Sequence, residues 1–129
     1  LGAEGVQIGT LFAMSEESSA SDAFKQLCVD LGEDGTMLAL KKISPTRLIK
    51  NELFAKIAEA ENRGAEADEL RELLGRAASK RGIFEGDLEH GELEIGQIAS
   101  TIKEVKPVAQ IMHELITDFH TTQSKIQSL

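Results

Sequence analysis

The chain has 129 residues, of which 41% are hydrophobic and 28% charged, ordinary proportions for one soluble folded unit. Fourteen basic against 22 acidic residues leave a net charge of −8, which argues against a nucleic-acid backbone or an anionic membrane surface as partner. With five Phe and no Trp or Tyr, an aromatic platform for stacking single-stranded bases is not expected. The single cysteine, Cys28, cannot form an internal disulfide and fits a reducing, cytoplasmic compartment.

The chain opens on Gly5-Val6-Gln7-Ile8, whose β-branched residues between glycines predict a short buried strand. Gly9-Thr10 breaks it, and the polar residues Ser15 to Ser18 precede the first helical pattern. A strand, a glycine turn and a nearby helix start can form an anion site, because glycine lets backbone N–H groups approach a phosphate. Spacing alone leaves two readings open: such a phosphate turn, or an ordinary strand-ending glycine.

Ser21 or Asp22 can cap a helix through about Leu31, with Phe24, Leu27, Cys28 and Leu31 on one face. On that face Cys28 reads as a small buried hydrophobe. Gly32-Glu33-Asp34-Gly35 turns the chain, and 36–40 is an apolar run suited to a strand or a short helix. Ser44-Pro45 marks another turn, after which Arg47 to Asn51 is expected to lead into a helix.

From Glu52 onward the pattern is helical. Leu53, Phe54, Ile57 and Ala58 share a face in 52–62, and Leu70, Leu73, Leu74 and Ala77 share one in 65–80. Residues 82–96 contain four glycines and read as loop. A short helix is expected over about 97–103, and Pro107 suits the first turn of the last helix. There Val108, Ile111, Met112, Leu115, Ile116 and Phe119 follow the helical period, whereas 121–129 is polar and expected to fray. The segment is thus mainly helical with one or two short strands near its start. It divides into 1–50 around the glycine turn and a helical region, 51–129.

Three other motifs fail on their own chemistry. His113-Glu114-Leu115-Ile116-Thr117 begins like a zinc-protease helix, but Thr117 stands where the second histidine is required. In Asp30 to Gly35, Gly32 replaces a calcium ligand, and Lys41 falls at the bidentate-acid position. Glu66, Asp68, Glu69 and Glu72 read as the wet face of a helix.

Several pieces together resemble one family. Gly2-Ala3-Glu4-Gly5-Val6-Gln7-Ile8-Gly9-Thr10-Leu11-Phe12 is similar to the last barrel strand of the flavin-dependent nitronate monooxygenases and enoyl-acyl-carrier-protein reductases II. Glu16-Glu17-Ser18, Thr46 to Asn51, and Phe84 to Gly91 followed by Ile95-Gly96-Gln97-Ile98-Ala99 look like later segments of the same family. The resemblance implies a parent α/β enzyme, a TIM barrel (β/α)8 that binds FMN, with the phosphate among the loops after the seventh and eighth strands. It implies cofactor-binding roles for Gln7, Gly9, Thr10, Gly96 and Gln97, with Ile95 standing where the family often has Met or Ala. A small nitronate or an enoyl thioester is the implied substrate, with NAD(P)H as co-substrate for a reductase.

A complete barrel needs about 250 residues. The chain is therefore expected to lack the earlier strands and the family's catalytic histidine, a position that none of His90, His113 and His120 matches. The N-terminal part of the barrel is then its expected partner, and an unpaired strand edge could also join copies of the chain. The contrasting reading is an independent acidic helical module that docks a protein partner without catalysis.

Overall fold

Helices, mostly short, and one hairpin form most of the chain. The computed structural model describes residues 2–128. Its elements are α1 (Thr10–Ala13), α2 (Asp22–Val29), β1 (Thr36–Ala39), β2 (Thr46–Ile49), α3 (Glu52–Asn62), α4 (Ala67–Leu74), a π-helical turn (Lys80–Phe84), a 3-10 turn (Gln97–Thr101) and α5 (Val108–Gln127). Ser21 caps α2 by accepting from Phe24 N–H, and Asn51 caps α3 by accepting from Phe54 N–H, so each satisfies a donor that the helix itself leaves free.

β1 and β2 pair antiparallel, from Thr36 opposite Ile49 to Ala39 opposite Thr46. The segment after the π-helical turn extends this pairing: Leu48 bridges Glu94, and Ile49 N–H donates to the Leu93 carbonyl at 2.9 Å. Two apolar clusters lie on either side of the hairpin. One gathers Leu40, Leu48, Leu53, Ile57 and Leu70. The other joins Met14, Phe24, Cys28 and Ile49 to Leu93, Ile95 and Ala99, so the tail returns to the start of the chain.

Several sequence expectations need correction. Gly5–Ile8 is not a strand and is not buried: no described residue pairs with it, and Val6 is 86% exposed. A single strand leaves its backbone groups unpaired, so β-propensity without a neighbour does not hold it extended in a ladder. Helical structure begins at Thr10, directly at the glycine turn, rather than beyond Ser18.

Residues 46–49, expected to lead into a helix, do so as a strand, paired with 36–39 on one side and with Leu93 and Glu94 on the other. The helix expected over 65–80 stops at Leu74, where Gly75 takes φ +70°. Part of the expected loop is the π-helical turn at 80–84. At the other end α5 stays helical to Gln127 instead of fraying after Thr121.

Candidate functional site

The site is built where the two ends of the packed body meet. Thr10, the first residue of α1, turns its hydroxyl onto Gly96, 86 residues later, and accepts the Gly96 N–H at 3.1 Å. A side chain at position 96 would collide with that same Thr10 Oγ1, so the approach requires glycine. Ile95 and Ala99, on either side of this contact, are buried with Met14, which fixes the tail against the residues that follow the turn.

On the other flank, Gly9 accepts the Ala13 N–H at 2.9 Å. No acceptor among the described residues meets the N–H groups of Thr10 and Leu11. An open groove of about 420 Å³ runs along the turn, with Gln7, Gly9 and Thr10 facing Ile98, Ile102 and Leu115 of α5. Its floor offers backbone donors and its sides are mainly apolar.

Four of the five residues implicated by sequence thus come together: Gln7, Gly9 and Thr10 line the groove and Gly96 touches Thr10. Gln97 follows Gly96 into the 3-10 turn, but it is exposed and its side chain makes no hydrogen bond among the described residues. Among the described residues no cluster of three His, Cys, Asp or Glu could hold a metal. No helix there is long and apolar enough to cross a membrane.

The middle segments are joined as firmly. Asn51 caps α3 with its side-chain oxygen and, through Nδ2, donates to the carbonyls of Leu88 at 3.0 Å and Gly91 at 2.9 Å. A Cβ on Gly91 would strike the backbone of Gly82. The half-buried Asn51 amide therefore ties residues 46–51 to 82–91, and the Gly82–Gly91 approach closes that second segment on itself. Spacing along the chain could not identify this role for Asn51; only its place before a helical pattern hints at the cap.

Two further charged groups, Lys106 and Glu114, lie beside Leu11 and Met14. Lys106 donates to Glu114 at 2.9 Å and pairs with Glu104 at 2.8 Å; these carboxylates hold its ammonium above the usual lysine range. The same lysine, with help from Gln110, holds Glu114 below the usual carboxylate range. Cys28 is fully buried, and burial alone pushes its thiol up to about 12, which removes it from nucleophilic chemistry near neutrality.

Comparison with known proteins accounts for the joined motifs. The family model described as nitronate monooxygenase matches residues 1–118. The chain superposes on FabK from Thermotoga maritima with a TM-score of 0.87 and 34% identity, over 98% of this chain and 40% of that one. The M276A mutant of the same FabK gives 0.77 and 31%, over 98% and 38%. The chain spans about two-fifths of the length of these solved structures. No curated protein matches it. With the family model covering nearly all of it, the chain belongs to the nitronate monooxygenase family, the family that its opening and tail motifs resemble.

Proposed function

We propose that these residues form the C-terminal part of an FMN-dependent oxidoreductase barrel and contribute the turn that holds the flavin phosphate. The observation that carries this reading is the Thr10–Gly96 hydrogen bond, which joins the family's two glycine motifs across 86 residues. The turn fits a phosphate in kind: Thr10 and Leu11 N–H groups have no acceptor among the described residues, and Gly96 lets the Thr10 hydroxyl come directly against the tail. Gly9, Thr10 and Gly96 are the residues that would hold the group, with Gln7 beside them; Gln97 is the least supported of the set. Bound there, FMN would supply the redox chemistry, either reduction of an activated double bond at the expense of NAD(P)H or oxidation of a nitronate with dioxygen. In this reading the residues of this chain bind and orient the cofactor.

The apolar surface left over supports the same reading. Val6, Ile8, Phe12, Met112, Ile116 and Phe119 line an open groove of about 700 Å³ between the N-terminal segment and α5. Phe119 is 62% exposed, and the relatives carry more than twice this length of chain. The rest of a barrel would cover this face, and the 129 residues by themselves are expected to be inactive.

The test compares the 129-residue chain with a polypeptide extended to the length of the relatives, by quenching of FMN fluorescence. The extended protein is expected to be yellow and to bind FMN, and Gly96→Ala to weaken that binding at least tenfold, about 1.4 kcal/mol. The short chain is expected to be colourless. An extended protein that takes up no flavin overturns the proposal, and a yellow 129-residue chain overturns the need for a further barrel. Oxygen uptake with an alkyl nitronate, against NAD(P)H oxidation with an enoyl thioester, then decides between the two activities.

A further inference from the structure

The loop between the cofactor turn and α2 carries an arrangement that neither the packing of the core nor the glycine motifs explain. Lys25 on α2 is 5% exposed, and its ammonium donates to two main-chain carbonyls, Glu16 at 3.1 Å and Ser18 at 2.8 Å. It thus grips both residues that flank Glu17. A buried ammonium is costly unless its hydrogens are satisfied, so this placement fixes the loop strongly.

Glu17, held between those two anchors, reaches the start of α5. Both its carboxylate oxygens accept the Val108 N–H, at 2.9 and 3.1 Å, across 91 residues of sequence. Pro107, at the cap position, has no side chain able to do this. The neighbouring Glu16 N–H donates to the Lys106 carbonyl at 3.0 Å, so the last helix is seated by two contacts from one loop. The loop is the direct continuation of Gly9-Thr10 and α1, while Leu115 of α5 forms one wall of the groove beside that turn.

We infer that Glu17 is a positioning residue for the cofactor turn: Lys25 presents its carboxylate, and the carboxylate sets α5 against Gly9-Thr10. This rests on the proposed FMN reading, with Glu17 touching no cofactor atom itself. A carboxylate cap uses both charge and acceptor geometry, and losing a cap of this kind costs about a factor of five in the local equilibrium.

The experiment uses the extended polypeptide with FMN as probe and the variants Glu17→Ala, Glu17→Gln and Lys25→Met. Glu17→Ala is expected to weaken FMN binding about fivefold and to blue-shift or broaden the bound-flavin absorbance, while the melting temperature of the flavin-free protein shifts little. Glu17→Gln keeps an oxygen acceptor and is expected to restore binding to within about twofold of the parent. Lys25→Met should match Glu17→Ala, and the double variant should be no weaker than either. Parental FMN binding in Glu17→Ala, or a Gln variant as weak as Ala, overturns the inference. Hydrogen exchange at the Val108 amide separates this from the functional reading. Exchange that quickens in Glu17→Ala while the parent binds no flavin would remove the FMN proposal and leave the clasp standing; unchanged exchange removes the clasp.

Discussion

α3 and α5 carry nearly the same apolar periodicity and have opposite fates. In α3 the stripe is consumed: Leu53, Phe54, Ile57 and Ala60 are all buried against the hairpin and α4. In α5 only Ile111 is buried, and Met112, Ile116 and Phe119 stand 42–62% exposed beside the still more exposed Val6. A helical stripe of hydrophobic residues predicts a face that needs covering, and it carries no information about what covers it. An apolar face of this extent on a folded chain marks a contact surface. That difference separates a packed body, residues 10–106, from one face of α5 and the segment before the turn.

Three substitutions would break or sharpen this contrast. The largest effect is expected at Ile57, which is fully buried: Ile57→Ala should destabilise the 129-residue chain by about 2–5 kcal/mol in urea unfolding. A loss below about 1 kcal/mol would mean that the body is not tightly packed around α3.

Asn51→Ala should cost less, about 1–2 kcal/mol, because it removes the α3 cap and leaves the Leu88 and Gly91 carbonyls without their donor. Thermal unfolding followed by circular dichroism reads it, and Asn51→Asp should recover only the capping share. The smallest effect is expected at Phe119. Phe119→Ser should change the stability of the 129-residue chain by no more than about 0.5 kcal/mol, as at an ordinary surface position. In the extended polypeptide the same substitution should cost several times more, and equal costs in both would show that the α5 face is solvated in each.

Much of the body was legible along the chain because its signals are local. Ser21 before Asp22 and Asn51 before Glu52 each start a helix where the sequence pattern does, and Cys28 falls on the buried face its spacing implies. The failures share a cause. Arg47 to Asn51 leads into α3 as expected, but its own extended conformation is decided by residues 93–95, more than forty positions away, which pair with Leu48 and Ile49. Gly5 to Ile8 has strand composition and no strand, because a strand is a property of two segments and the described residues hold no second one. The contacts of Glu17 and Lys25 carry no signal in sequence, and only the fold shows one capping α5 and the other buried against the same loop.

The sequence by itself determined the family, the helical bias, the start of α2 near Ser21 and the glycine turn at Gly9-Thr10, since each is written in a contiguous stretch or a short motif. Tertiary structure alone decided that Thr10 meets Gly96, that Asn51 ties 46–51 to 82–91, and that the two halves of the tail motif part company, Gly96 inward and Gln97 outward. The physical reason is the same in each case. Hydrogen bonds and close approaches between distant segments depend on where the chain returns, and one-dimensional spacing does not encode that return.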